Sequence, residues 1–186
     1  MIRAMDRAGI LVFDTPIGPC GLAWTQAGLI GVSLPEPDAA AVRARLQRRY
    51  PEATGGLPPP EVEDARQRIL ALLSGEAADL SPIALDLDRV GAFEQRIYAI
   101  ARAIPPGEVM TYGEIASRVG EPQAAQAVGH AMGRNPWPIV VPCHRVVGSN
   151  GKLGGFSARG GTRTKLRILE IEGALKPESL PLFGGR

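Results

Sequence analysis

Cys143 and His144 are the residues of this chain best equipped for chemistry. They lie side by side in Ile139-Val140-Val141-Pro142-Cys143-His144-Arg145-Val146-Val147, where an apolar run carries a thiol up to a base and a guanidinium. A thiol attacks as its thiolate, and an adjoining cation or proton acceptor raises the thiolate fraction. A cysteine paired with a base is an activated nucleophile. The same residues also fit a core cysteine beside a hydrogen-bonded histidine, and the pair alone leaves both readings open. Cys20 follows Pro19 with no histidine or cation next to it and reads as structural. Two cysteines and two histidines (His130 is the other) are too few for a four-ligand zinc site, so neither a metal nor a cofactor is expected. The glycine-rich stretch Gly154 to Gly161 could wall a pocket. It is not a phosphate loop, because no Gly-Lys-Ser/Thr follows.

The chain must also supply the frame for such a site. Its 186 residues amount to one large or two small domains. With 45% apolar and 22% charged residues, a disordered tail, a collagen-like fibre and a disulfide-stapled mini-domain are excluded. No apolar run approaches the roughly 20 residues of a membrane span, and residues 1–7 lack the apolar stretch of a signal peptide. The expectation is a soluble, reduced, cytoplasmic monomer with no membrane partner. The net charge of +2 is uneven: residues 1–90 carry −3 and residues 91–186 carry +5. A basic half suits a polyanion such as nucleic acid, and it also fits ordinary surface variation.

Hydrophobic periodicity divides the chain. Ile10–Phe13, Gly21–Trp24 and Leu29–Leu34 read as three short strands of an antiparallel meander. Asp38 caps a helix to Arg49, a second helix runs from Glu61 to Leu73, and Ile83–Leu87 alternates like a strand. The character changes near Val90-Gly91. Ala92–Ile104 is a helix stopped by Pro105-Pro106-Gly107. Thr111 and Glu114 form a capping box for a short helix to Val119. Gly120-Glu121-Pro122 turns the chain into a helix from Gln123 to Gly133, rich in small residues. Two short helices joined by a three- to four-residue turn form a helix-turn-helix, whose second helix enters the groove in DNA binders. This one has no Lys or Arg from Gln123 to Met132, so DNA contact and close helix packing both fit it. A last helix spans Thr162–Glu172 and closes at Gly173. The fold class is therefore α+β. Residues 1–90 form a domain with a small antiparallel sheet and helices, residues 91–175 a helical domain with the helix-turn-helix and the reactive pair, and residues 176–186 a flexible tail.

Pro142-Cys143-His144-Arg145-Val146, with Asn135-Pro136 before it and a glycine-rich loop, Lys165 and Glu172-Gly173 after it, resembles the O6-alkylguanine-DNA alkyltransferase family. Ile104-Pro105-Pro106-Gly107-Glu108, Thr111-Tyr112 and Asp14-Thr15-Pro16-Ile17-Gly18 extend the likeness to about residues 10–175. The resemblance implies direct DNA repair. A damaged guanine is turned out of the duplex, and Cys143 takes its O6-alkyl group once, without turnover. It implies that Glu172 orients His144, that His144 takes the thiol proton through a water, and that Asn135 holds the turn presenting the thiol. Tyr112 assists the rotation, and Val146, Phe156 and Ser157 line the base pocket. Ala125, Gln126 and Gly129 on the second helix, with Arg134 just beyond it, are the candidate contacts to double-stranded DNA. Two positions depart from the family. Gln126 stands where the family has an arginine that fills the space of the flipped base, and Phe156 stands for a tyrosine that can donate to the leaving oxygen. The loop at Ala158–Gly161 is also two residues longer than the common form. The zinc of some members needs cysteines and histidines that the first half lacks. Other members bind alkylated DNA without transfer, so a damage sensor that keeps its cysteine is the alternative reading. A thiol hydrolase unrelated to DNA would fit the Cys-His pair and leave the helix-turn-helix unexplained.

Overall fold

Period-2 alternation in the first strands sorts their side chains onto two faces. In the computed structural model, which describes residues 8–153 and 161–174, β1 (Gly9–Phe13), β2 (Cys20–Thr25) and β3 (Gly28–Ser33) form an antiparallel sheet in that order. The β1–β2 turn is tied by Thr15, whose hydroxyl donates to the Gly18 carbonyl at 2.7 Å and accepts from the Ile17 amide at 3.2 Å. Gly18 takes φ 118° there, a conformation that side chains disfavour. Ile10, Ala23 and Ile30 face α1 (Ala39–Arg49) and its Val42, Leu46 and Tyr50. Gly21 and Gly31 let that helix close, since a Cβ at Gly31 would sit 2.3 Å from the Tyr50 ring. Asp38 caps α1 as expected, accepting from the Ala41 amide at 2.8 Å.

The other face carries Cys20, Leu22, Trp24, Leu29 and Val32. It belongs to a core that continues through α2 (Pro60–Leu73) to Ile97, Ile115, Val128, Trp137, Cys143 and Ile168. The expected strand at 83–87 shrinks to a single parallel bridge, Leu85 to Leu29, and the chain then winds into a 3-10 turn at Leu87–Arg89. The Arg102 guanidinium takes the Ile83 carbonyl, together with those of Leu80 and Ser81 just before the segment.

Four helices frame the second half: α3 (Ala92–Arg102), α4 (Tyr112–Arg118), α5 (Ala125–Gly133) and α6 (Thr162–Ile171). The capping box forms, with Glu114 accepting from the Thr111 amide and Thr111 from the Glu114 amide. Helix α4 packs on α5, and α3 touches both. Residues 119–124 join α4 to α5, more than the three or four expected. Helix α5 begins two residues late because the Ala124 amide bonds back to the Glu121 carbonyl at 2.8 Å. A two-residue parallel pairing was not anticipated. β4 (Met110–Thr111) runs beside β5 (Val146–Val147), which places the start of α4 against the segment that follows Cys143.

Trp137 pins the two halves together. Its indole Nε1 donates to the Leu29 carbonyl at 2.8 Å, its ring stands edge-on to Tyr98 at 6.1 Å, and the Val32 amide donates to the Pro136 carbonyl at 2.9 Å. The Leu29 carbonyl also accepts from the Asp86 amide. Trp137→Phe therefore loses packing and one hydrogen bond without orphaning its acceptor, and the expected loss is about 1–2 kcal/mol. Urea unfolding would measure it. A loss above about 4 kcal/mol would show that the indole contributes more than that one bond and its rim of contacts.

Candidate active site

The loop before Cys143 is held by one amide. Asn135 donates from Nδ2 to the Val141 carbonyl at 2.8 Å and accepts on Oδ1 from the Trp137 amide at 2.9 Å, so one side chain clamps both ends of the segment. Inside it Ile139 adopts φ 76°, the one positive φ outside glycine among the described residues. A β-branched residue there is strained, and such strain collects where a loop must present a group in one orientation. Residues Cys143–Arg145 then form a single 3-10 turn, with all three side chains buried.

Glu172, the residue that caps α6, gathers this turn. Its Oε1 lies 2.8 Å from His144 Nε2. Arg145 donates Nε to Oε2 at 2.9 Å and Nη2 to Oε1 at 2.6 Å, and its Nη1 reaches the Ile104 carbonyl at 2.6 Å. The His144 and Glu172 side chains are fully buried. Burial pushes the Glu172 carboxyl upward, but the bonds from His144 and Arg145 outweigh it and hold it down at about 2. Burial pushes His144 below the ordinary imidazole value, against the pull of Glu172. His144 is therefore neutral near pH 7. The hydrogen bond to Glu172 assigns its proton to Nε2, which leaves a lone pair on Nδ1. Nδ1 is buried and has no hydrogen-bond partner among the described residues. Burial raises the Cys143 thiol, while the Asn135 amide and the Lys165 charge pull it down.

The other expected residues fall around this centre. The Val146 side chain is fully buried next to the turn. Tyr112 at the start of α4 is half-buried; burial and the charge of Cys143 both raise its hydroxyl, which puts it within electrostatic reach of the sulfur. Gly129 on α5 faces the Tyr112 ring, 3.9 Å from where a Cβ would stand. Gln126, His130 and Arg134 share the exposed side of α5 and its C-terminal end, Ala125 is half-buried, and Arg134 lies 3.6 Å from Glu94. A cleft beside the end of α5 reaches Cys143, with Met132, Asn135 and Pro138 on one side and Leu34, Pro35 and Arg49 of the first half on the other. Phe156 and Ser157 lie outside the described residues. Cys20 is fully buried, and burial raises its thiol to about 12, with Thr15 pulling against it, which suits a structural role.

Residues 92–174 match the DNA-binding domain model of the 6-O-methylguanine DNA methyltransferases. A methylated-DNA–protein-cysteine methyltransferase of Mycobacterium tuberculosis is 39% identical over 91% of this chain and 95% of its own length. One from Methanosarcina acetivorans is 35% identical over 88% and 97%. The chain belongs to the methylated-DNA–protein-cysteine methyltransferase family. The M. tuberculosis O6-methylguanine methyltransferase structure superposes at TM-score 0.70 with 37% identity, covering 95% of this chain and 99% of that one. The M. tuberculosis OGT structure in complex with DNA gives TM-score 0.68 over 88% and 92%. A small antiparallel sheet followed by a helical half is thus the family's α+β architecture.

Two residues of the motif carry no site role in the sequence. Arg145 figures there only as a neighbouring cation, yet among the described residues its bonds go to Glu172 and Ile104. Lys165 is 1% exposed and donates to the Val146 carbonyl. Its position three residues before the buried Ile168 places it on the inner face of α6, a signal that helical spacing could have given.

The Glu172 carboxylate makes stability depend on pH. Its folded value lies below the unfolded one, so its contribution is present above about pH 4.5 and is lost as pH falls toward about 2. Glu172→Gln also leaves Arg145 buried without its anion, and the expected loss at pH 7 is about 3–5 kcal/mol. Thermal unfolding of both proteins from pH 7 to pH 3 should show the gap narrowing as the wild-type carboxylate protonates. A gap that stays constant or widens would contradict the assignment.

Proposed function

We propose that this protein repairs O6-alkylguanine in DNA by moving the alkyl group to Cys143 in a single turnover. The observation that carries the reading is the neutral His144: its Nε2 is committed to Glu172, its Nδ1 lone pair is unused, and the adjacent thiol ends a cleft. The family likeness supplies the link between Nδ1 and Sγ, a water that carries the proton. The thiol proton passes through that water to His144 Nδ1. The Cys143 sulfur attacks the alkyl carbon, the S–C bond forms, and the C–O6 bond breaks with its electron pair leaving on guanine. The guanine is then protonated and stays in the DNA. A thioether has no acceptor to pass its alkyl group to, so each molecule acts once. Arg145 and Glu172 keep the imidazole in the accepting tautomer, and Asn135 fixes the loop while its amide pulls the thiol down against burial.

A guanine inside the stack cannot reach a buried thiol, so it must first leave the duplex. Helix α5 supplies the DNA contact, with Ala125 and Gly129 admitting a close approach of the backbone and Gln126 pointing outward. Tyr112 crowds the strand at the start of α4. The protein works as a monomer in the cytoplasm, where its thiols stay reduced.

Intact mass after mixing with duplex containing O6-methylguanine decides between transfer and sensing. The mass should rise by one CH2, located on Cys143, and Cys143→Ala should bind the duplex without gaining mass. Tight binding with unchanged wild-type mass would make the protein a damage sensor.

Gln126 offers the orphaned partner base only a neutral hydrogen bond, whereas a charged donor makes one roughly twice as strong. Gln126→Arg is therefore expected to raise the single-turnover rate on duplex about tenfold, and Gln126→Ala to lower it. Both effects should shrink on single strands, where no gap needs filling. Equal duplex rates for Gln, Arg and Ala would remove position 126 from the flipping step.

A further inference from the structure

We infer that the C-terminal end of α1 belongs to the DNA-binding surface, where Arg48 and Arg49 take phosphates of the strand that runs past the end of α5. This rests on the proposed repair, which sets α5 against DNA. The starting point is a shortage of charge. Gln123 to Met132 holds no Lys or Arg. The first cation is Arg134, which caps the helix and leans toward Glu94 at 3.6 Å. Affinity for a duplex comes largely from cations that neutralise phosphates, and most contacts go to the backbone. A recognition helix without cations leaves the flanking phosphates to other elements.

Helix α1 supplies cations against the overall charge of its half. Residues 1–90 carry −3, yet α1 holds Arg43, Arg45, Arg48 and Arg49 and no carboxylate. Residues three and four apart share a helix face, so Arg45, Arg48 and Arg49 form one patch. Arg45 and Arg49 line the cleft that reaches Cys143, and Arg134 lines it from the second half. The end of α1 and the end of α5 thus stand on two banks of one cleft that leads to the thiol. A strand that lies on α5 and delivers a base to Cys143 passes between them.

Two of the three arginines in the patch are available. Arg45 is held by Glu36 at 3.0 Å. Arg48 and Arg49 are exposed and form no ion pair among the described residues. The Arg49 guanidinium lies over the Tyr50 ring instead, 5.6 Å from its centre. Stacking of that kind orients the planar group and leaves its N–H edge to donate to a phosphate oxygen. The carboxylate of Glu52, just beyond the helix, is taken by Arg89 at 2.8 Å. Cations in the last turn also suit the negative end of the helix, so a thermal melt accompanies the binding test.

That test is equilibrium binding of an unmodified duplex over a range of salt. The proteins are wild type, Arg48→Gln/Arg49→Gln, Arg48→Lys/Arg49→Lys, Arg49→Gln and Arg43→Gln. Arg43 lies on the same helix but lines a separate depression with Asp14, so its loss removes charge from α1 without touching the patch. Each phosphate neutralised contributes about 0.9 to the fall of log affinity with log salt. The glutamine pair should make that slope shallower by about 1.8 and weaken binding at low salt roughly tenfold. The lysine pair and Arg43→Gln should keep the wild-type slope. Arg49→Gln alone should show half of the change, and it decides the matter if the glutamine pair does not fold. An unchanged slope in variants that melt like wild type would overturn the inference, and so would an equal loss per charge in Arg43→Gln. Wild type that binds no duplex would remove the repair reading and this inference together. Wild type that binds and transfers, beside glutamine variants with its slope, would remove the inference alone.

Discussion

The whole site depends on the carboxylate of Glu172. A buried anion is tolerated when its lone pairs are filled, and here two adjacent residues fill them. Arg145 continues the link to the Ile104 carbonyl, just past the end of α3. The end of α6, the turn bearing the thiol and the segment after α3 are therefore joined through one group. None of the three can shift without exposing or orphaning a buried charge. The same bonds choose the tautomer of His144, so the interaction that stabilises the loop also leaves the lone pair on Nδ1.

The remainder of the structure serves to hold that turn against the sheet and the helix-turn-helix. Asn135 clamps the approach, and Ile139 bears the strain of it. Trp137 carries the loop into the first half through Leu29 and Tyr98. The short β4–β5 pairing sets Thr111 and Tyr112 beside the segment after Cys143, so the capped start of α4 is fixed relative to the thiol. Helix α5 has small residues where it meets Tyr112 and polar ones where it faces outward. The lack of Lys or Arg along α5 agrees with packing on its inner side.

Local signals were legible wherever a few neighbouring residues decide the conformation. The three strands and their turns, the Asp38 cap and the Thr111–Glu114 capping box follow from alternation and from side chains that bond to nearby amides. Alternation misled at Ile83–Leu87, because pairing with the first sheet ends after one bridge at Leu29, Arg102 takes the Ile83 carbonyl, and the chain turns at Leu87–Arg89. The start of α5 was misplaced by two residues because a turn bond at Glu121 competes with the first helical turn.

The sequence by itself displayed the Cys143–His144 pair, the helices that frame it and, through the resemblance, the roles expected of Glu172, Asn135 and Tyr112. These rest on residue type and short spacing, which the chain displays directly. Only the tertiary structure decided that Arg145 and His144 share one carboxylate, that Nδ1 is left with a lone pair, and that Lys165 is buried with no carboxylate of its own among the described residues. Each of these is a balance of charge and hydrogen bonds among groups 19 or more residues apart. Such a balance exists only once folding has removed water from all of them at the same place, because in water each group would be satisfied alone.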